Sequence, residues 1–239
     1  PLVGFCASPG SPPCLVYPLC VGGTLEDRLL LSAAALQRLR ALGWAAVPQP
    51  LAWPLRLRAL RDAARALAHL HLHSLLHGDV KPSNILLDER SGARLADFGL
   101  ARVAKRQHEA GAGASVASVS AVKGTAAFLD PIYVQDGVAT VLMDGFALGV
   151  TILVALTGQP APGLKQRCRH MLKWPTQPHT WQPPGEPAAK GGAWGEGVAS
   201  GLAEMVNGLQ ETYAEDRMPL ADVLEKLEAL ATEAGADAD

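Results

Sequence analysis

The stretch His77-Gly78-Asp79-Val80-Lys81-Pro82-Ser83-Asn84, followed by Asp97-Phe98-Gly99, decides the fold class of this chain. Apolar residues recur before it at spacings of three and four, at Leu57, Leu60, Ala64, Leu67 and Leu70. That periodicity predicts a helix with one buried face. Two short apolar segments, residues 80–88 and 93–98, carry turn residues at their ends and predict a loop with two small strands. The polar residues of the quoted stretch are therefore expected in loops beside a helix.

The order of these polar residues is highly specific. Asp, Lys and Asn precede Asp-Phe-Gly, and four residues separate Asp79 from Asn84. This order and spacing resemble those of a eukaryotic protein kinase. Other segments resemble the hinge, the activation segment, the central helix and the last helix of that family; they are Leu15-Val16-Tyr17, Gly23-Thr24-Leu25, Gly124-Thr125 through Asp130-Pro131, Asp144 through Gly149, and Glu215-Asp216-Arg217.

Two details narrow the resemblance. Leu-Val-Gly-Phe-Cys at residues 2–6 and His-Gly-Asp-Val-Lys at residues 77–81 are similar to Pelle, interleukin-receptor-associated and plant receptor-like kinases. The resemblance covers nearly the whole chain and is weakest over residues 158–197. It implies an α+β, protein-kinase-like fold, mostly the α-helical C-terminal lobe with a truncated N-terminal lobe. Residues 1–20 would be the remnant of the N-terminal lobe, with its last two strands and the hinge, residues 21–233 the C-terminal lobe, and residues 234–239 a frayed tail.

Local patterns make more detailed predictions about the elements. Two apolar runs, at residues 2–6 and 14–20, are separated by Gly and Pro and predict two strands. Thr24 and Asp27 resemble a capping box, which predicts a helix reaching roughly to Leu42. A long apolar helix is expected over residues 138–157, and two amphipathic helices near 198–212 and 219–232. The arginines between Leu55 and Ala66 fall mostly off the apolar stripe and are expected on a solvated face.

The resemblance implies transfer of the ATP γ-phosphoryl group to Ser or Thr hydroxyls of protein substrates. Phosphoryl transfer depends on positioning and on neutralising phosphate charge. Asp79 is the candidate for orienting the substrate hydroxyl and taking its proton, and Lys81 is the candidate phosphate contact. Asn84 and Asp97 offer the oxygen ligands that Mg²⁺ prefers. By resemblance alone, Thr125 would bridge Asp79 and Lys81, and lysine at position 81 favours Ser/Thr over Tyr as the acceptor.

The resemblance also assigns the adenine site. Tyr17 occupies the gatekeeper position. Pro18 has a carbonyl but no N–H, which is tolerable because the first hinge residue of the family uses only its carbonyl. Cys20 would offer both N–H and C=O to the base, and Leu86 would pack under the adenine ring. ATP and Mg²⁺ are therefore the expected cofactors.

Three departures from the family pattern affect these expectations. No Gly-rich phosphate loop, strand lysine or helix glutamate precedes Leu2, so this polypeptide alone is expected to be inactive and to bind ATP poorly. Gly78 replaces an arginine that reads phosphate on the activation loop, so phosphorylation there should couple weakly to activity. Ile132 replaces a glutamate that pairs with the late arginine, Arg217. Either Asp130 substitutes, Arg217 turns to solvent, or the lobe is less stable.

Composition constrains the partners and the cellular compartment. The net charge of −2, from 21 basic and 23 acidic residues, does not indicate a nucleic-acid partner. The four cysteines show no C-x-x-C spacing, and we expect them to be reduced and structural, in a cytoplasmic protein. Contact with a membrane is expected only through a receptor segment outside this sequence. The expected partners are protein substrates and ATP.

Several alternatives stay open at this level. A pseudokinase that serves as a scaffold or binding module has the same motifs. Residues 138–156 reach transmembrane length with one charge, Asp144, although the resemblance makes this the buried central helix, with Asp144 capping the catalytic-loop backbone. Histidines that could form a zinc cluster are His69, His71, His73 and His77. Serines that are either phosphorylation sites or solubilising loop residues are Ser115, Ser118 and Ser120.

Overall fold

The fold combines many helices with few, short strands. A computed structural model describes residues 2–8, 10, 12–46, 48–106, 115–118, 122–173, 194–195 and 197–235. Within these ranges helix dominates, which confirms the predicted α+β class with a small sheet content. Ser120 and the last four residues of the predicted tail lie outside the described residues.

The strands form small antiparallel sheets. They are β1 (Gly4–Cys6), β2 (Cys14–Val16), β3 (Gly23–Thr24), β4 (Leu75–Leu76), β5 (Ile85–Leu87), β6 (Ala93–Leu95), β7 (Arg102–Val103), β8 (Lys105–Arg106), β9 (Ser115–Ser118) and β10 (Val138–Thr140). Strand β1 pairs with β2, β5 lies between β3 and β6, β4 pairs with β7, and β9 lies between β8 and β10. The Asp79 loop runs from β4, which pairs with β7, to β5, the middle strand of the sheet of β3, β5 and β6.

The two predicted N-terminal strands are present but shorter than the apolar runs. Strand β2 ends at Val16, two residues before Pro18, which has no N–H to donate to a strand ladder. The large apolar side chains of this region, among them Phe5 and Leu15, are largely exposed.

The helices are α1 (Leu25–Leu30), α2 (Ala33–Ala41), α3 (Trp53–Leu72), α4 (Pro131–Asp136), α5 (Val141–Thr157), α6 (Leu164–Arg167), α7 (Arg169–Lys173), α8 (Val198–Leu209) and α9 (Leu220–Glu233). The capping box is confirmed, since the Asp27 N–H donates to Thr24 Oγ1 at 3.0 Å. The single helix predicted to Leu42 is wrong. Leu31 takes a left-handed conformation with φ 45°, which ends α1, and Ser32 caps α2.

The prediction of a solvated arginine face on α3 is wrong for two residues. Arg56 and Arg61 are 2% and 6% exposed. The Arg56 guanidinium donates to the carbonyl oxygens of Leu51 at 2.7 Å and Ala155 at 3.0 Å. A buried cation is tolerated where its donors are paired, so Arg56 links α3 to the end of α5. Arg65 is exposed, as predicted, and pairs with Glu228 of α9.

Helix α5 is the buried centre of the fold, and it packs against α3 and α8. It begins at Val141 rather than at the predicted residue 138, because residues 138–140 pair with β9 as a strand. Trp194 donates its indole N–H to the Leu156 carbonyl at 3.0 Å, near the end of α5. In the described part of the chain, no helix has both the length and the apolar character needed to cross a bilayer.

Candidate active site

Asp79, Lys81 and Thr125 form one hydrogen-bonded group. Lys81 Nζ donates to Asp79 Oδ2 at 2.6 Å and to Thr125 Oγ1 at 2.7 Å. The Thr125 hydroxyl and its backbone N–H both donate to Asp79 Oδ1, at 2.8 and 3.1 Å. The structure therefore brings together three residues that the sequence separates by up to 46 positions. The bridging position that the resemblance implied for Thr125 is observed.

The loop that carries Asp79 is held by a buried carboxylate from α5. Asp144, 1% exposed, accepts the backbone N–H groups of His77 at 2.8 Å and Gly78 at 2.9 Å. This confirms the expected capping of the loop backbone. Sequence reasoning missed a third contact, His71 Nε2 at 2.9 Å from Asp144 Oδ2. The position of His71 at the end of α3 was visible in the sequence, but only the fold places that end beside α5.

Asn84 and Asp97 lie next to each other across the sheet. The Ala96 N–H donates to the Asn84 carbonyl at 2.9 Å. Asp97 follows Ala96 directly in the chain and is therefore close to Asn84. Asn84 Nδ2 donates to the Asp79 carbonyl at 2.8 Å, which commits the amide nitrogen and leaves the amide oxygen as the group for a cation. Asp97 is exposed, with φ 65°, and its carboxylate accepts the Gly99 N–H at 3.2 Å. Two such oxygen donors suit Mg²⁺.

A cleft of about 690 Å³ extends from the hinge residues Pro18 and Cys20 to Asp97. Its lining includes four residues predicted to bind ATP and Mg²⁺, namely Pro18, Cys20, Leu86 and Asp97, but neither Asn84 nor the predicted phosphate contact Lys81. The volume is in the range of small-molecule sites, and the lining is largely apolar, as a purine ring requires. The Cys20 carbonyl accepts the Gly23 N–H at 3.3 Å and has a second lone pair for a ligand.

The electrostatics of Asp79 follow from its surroundings. Burial by itself would raise the pKa of the Asp79 carboxyl. Hydrogen bonds from Lys81 and Thr125, together with the positive charge of Lys81, outweigh burial and hold the pKa below its usual value. Asp79 is therefore ionised throughout the neutral range.

The backbone conformation at position 78 requires glycine. Its φ is +83°, a region that side-chain-bearing residues rarely adopt, and a Cβ there would lie 2.8 Å from the Leu100 carbonyl oxygen. With glycine here, position 78 offers no cation to a phosphate on the activation segment.

Arg217 is paired with Asp130. Of the three outcomes expected from Ile132, the structure therefore shows the one in which Asp130 takes the place of the missing glutamate. Its guanidinium donates to both carboxylate oxygens of Asp130, at 2.5 and 2.8 Å, and to the Glu211 carbonyl at 3.0 Å. The side chains of Arg217 and Asp130 are each 2% exposed. Asp130 therefore supplies the carboxylate that Ile132 cannot, and it joins the end of the activation segment to the region before α9.

The histidines have separate environments. His77 Nε2 lies 3.0 Å from the Ala96 carbonyl, and His71 contacts Asp144. The rings of His69 and His73 meet edge to face, with centroids 4.5 Å apart. Among the described residues, no group of three or more His, Cys, Asp or Glu side chains is placed to hold a metal ion. The zinc alternative has no support in this arrangement.

Comparison with known proteins decides the family. The protein kinase domain family matches residues 54–225. The chain belongs to the protein kinase domain family. Interleukin-1 receptor-associated kinase 1 of Bos taurus is 44% identical over 161 residues, which are 66% of this chain and 21% of that protein. The nodulation receptor kinase of Pisum sativum is 33% identical over 241 residues, 95% of this chain and 23% of that protein.

A third relative is similar in kind. The Pelle-like serine/threonine-protein kinase pik-1 of Caenorhabditis elegans is 32% identical over 168 residues, which are 69% of this chain and 32% of that protein. The chain thus spans between a fifth and a third of the length of these three relatives. The predicted group of Pelle-like, interleukin-receptor-associated and plant receptor-like kinases is confirmed. The division of the chain at residues 20 and 233 stays a prediction.

Proposed function

We propose that this kinase domain transfers the γ-phosphoryl group of ATP to Ser or Thr hydroxyls of protein substrates. The observation that supports the proposal is the Asp79–Lys81–Thr125 group, in which a carboxylate, a cation and a hydroxyl are hydrogen-bonded to one another. Asn84 links this group to the nucleotide-sized cleft, because it donates to the Asp79 carbonyl and accepts the backbone N–H of Ala96, which lines the cleft. Two relatives, interleukin-1 receptor-associated kinase 1 and the Pelle-like serine/threonine-protein kinase, carry kinase names, and the second names Ser/Thr specificity. A cytoplasmic location is part of the proposal, since ATP is available there.

In this proposal Asp79 orients the acceptor hydroxyl and accepts its proton. The lowered pKa makes Asp79 a weak base, so orientation precedes proton transfer. A loose phosphoryl-transfer transition state suits this role, because little proton abstraction is needed before the phosphoryl group has left ATP. Lys81, already within 2.7 Å of both Asp79 and Thr125, supplies positive charge where the phosphate arrives.

The cofactor would lie across the cleft. Pro18, Cys20 and Leu86 would hold the adenine, and the oxygens of Asn84 and Asp97 would hold Mg²⁺. Bound Mg²⁺ would neutralise phosphate charge and fix the geometry of the phosphates.

The test is phosphotransfer by the full-length product of the gene, purified and supplied with Mg-ATP and a pool of Ser-, Thr- and Tyr-containing peptides. We expect label on Ser or Thr and none on Tyr, and no transfer when EDTA removes Mg²⁺. Tight nucleotide binding without any transfer would contradict the proposal and favour the scaffold alternative. The same assay on residues 1–239 tests the expectation that this polypeptide alone is inactive.

Replacing Lys81 by Ala should shift the acid limb of the pH–rate profile to higher pH. Lys81 helps to hold the pKa of Asp79 below its usual value, so Lys81→Ala lets burial raise it. Asp79 then becomes protonated, and inactive as a base, at a higher pH than in the wild type. The measurement is kcat between pH 4 and 8 for both proteins. Arg90→Ala, a cation on an exposed turn, is the matched control, and an acid limb that stays in place in Lys81→Ala would refute the assignment.

Phosphorylation of the activation segment should contribute little. Gly78 provides no cation for a phosphate, and β9 is already paired with β10 along three residues. We expect the triple change of Ser115, Ser118 and Ser120 to Ala in the full-length protein to keep kcat within about threefold of the wild type, a loss of less than about 0.7 kcal/mol. Loss of activity that Asp replacements restore would show that a phosphate is read by another cation.

A further inference from the structure

Cys6 and Cys14 stand directly opposite each other in the N-terminal hairpin. The register of β1 and β2 pairs Gly4 with Val16, Phe5 with Leu15, and Cys6 with Cys14. Both thiols are free and both residues are exposed, which corrects the expectation that these cysteines are structural; Cys168, in contrast, is fully buried. Opposite residues of an antiparallel pair have Cα atoms about 4.5–5.5 Å apart. A disulfide bridges Cα atoms about 4.4–6.8 Å apart.

The two thiols share one face of the hairpin. Directly opposite side chains lie on the same face of a ladder, and neighbouring pairs lie on opposite faces. Leu15, one residue from Cys14, lines the nucleotide cleft. The cysteine pair is therefore on the side of the hairpin that faces away from the cleft, where a reagent reaches it without competing with nucleotide.

We propose that Cys6 and Cys14 are a reversible thiol-modification site that closes to a cross-strand disulfide in exchange with a low-molecular-weight disulfide such as glutathione disulfide. This inference is independent of kinase activity. It rests on the register, the exposure of both residues and the nearby Ser8 hydroxyl, which lies 3.6 Å from Cys6 Sγ and is able to donate to the Cys6 thiolate.

The exchange proceeds in two displacements. The Cys6 thiolate attacks one sulfur of glutathione disulfide, the S–S bond of glutathione breaks, and one glutathione thiolate leaves. The Cys14 thiolate then attacks Cys6 sulfur and displaces the second glutathione. In sum, the two protein thiols lose two electrons and two protons and become a disulfide. Glutathione disulfide gains these two electrons and two protons and becomes two glutathione thiols. The disulfide links β1 covalently to β2. It would stabilise their two-stranded sheet, since such a sheet is only marginally stable by itself.

The experiment incubates residues 1–239, folded and without denaturant, in buffers of increasing ratio of glutathione disulfide to glutathione. Free thiols are then blocked in acid, and the disulfides are mapped by peptide mass spectrometry. We expect the wild type to lose the Cys6 and Cys14 thiols together, to retain no glutathione on either of them, and to yield a Cys6–Cys14 peptide. Cys6→Ser and Cys14→Ser should each keep one glutathione adduct and need at least about tenfold more glutathione disulfide for half modification, because they lack the intramolecular second step.

Cys20→Ser is the matched control for thiol exchange, since Cys20 is the third cysteine near this hairpin in sequence, and it should form the Cys6–Cys14 bridge at the same ratio of glutathione disulfide to glutathione as the wild type. A bridge from Cys20 to Cys6 or Cys14, or stable glutathione adducts on both Cys6 and Cys14 of the wild type, would overturn the proposal. Amide hydrogen exchange gives a second readout. Residues 4–6 and 14–16 should exchange more slowly in the oxidised wild type than in the reduced protein, and an unchanged rate would show that the bond does not form across the ladder.

Discussion

Replacing Asp79 by Asn should lower kcat for phosphotransfer by about 10²- to 10⁴-fold, the range for loss of a general base. Both Asp79 carboxylate oxygens accept hydrogen bonds, from Lys81 and from Thr125. An amide of the same shape loses the negative charge and turns an NH2 group, itself a donor, toward one of these two donors. The loop should stay folded, because its backbone is held separately by Asp144. The measurement is kcat and KM for ATP and peptide in the full-length protein.

The control for this prediction is Asp222→Asn. Asp222 lies exposed at the start of α9, and its replacement by Asn removes one negative charge, as Asp79→Asn does. It should keep kcat at the wild-type value. An Asp79→Asn protein with kcat within tenfold of wild type and an unchanged KM would remove Asp79 from the mechanism, whatever the role of Lys81.

Replacing Asp130 by Ala should lower the free energy of unfolding by about 3–5 kcal/mol, the cost of leaving one member of a buried ion pair alone. Arg217 is 2% exposed at its side chain and sits over the Phe146 ring, so it cannot reach solvent without disturbing that packing. Asp130 also accepts the Ile132 N–H at 3.0 Å as the N-cap of α4, which adds a smaller loss. Urea unfolding of both proteins at pH 7 measures the difference.

Two further variants test whether the loss comes from the unpaired Arg217 charge. Asp130→Ala combined with Arg217→Met should be more stable than the single Asp130→Ala protein, because no charge is then left without a partner. Asp136→Ala, an exposed residue at the end of α4, should change the stability by less than about 0.5 kcal/mol. A loss below 1 kcal/mol in Asp130→Ala would show that Arg217 finds water or another acceptor.

Local patterns predicted the elements that depend on neighbours in sequence. The three- and four-residue spacing of Leu57 through Leu70 predicted α3, and the Thr24–Asp27 capping box predicted the start of α1. These signals work because a helix brings residues three and four apart onto one face, and a cap satisfies backbone groups within one turn. The same reasoning missed the break at Leu31, since a left-handed leucine carries no compositional signal.

The sequence by itself determined the kinase motif, the candidate residues for phosphate and Mg²⁺, and the existence of the longer helices α3, α5, α8 and α9. Only the tertiary structure decided that Arg56 is buried against the end of α5, that Asp130 pairs with Arg217, and that Cys6 faces Cys14. The physical reason is sequence distance. Asp130 and Arg217 are 87 residues apart, and a contact over that separation depends on how α4, α5 and the segment before α9 pack, which no local periodicity encodes.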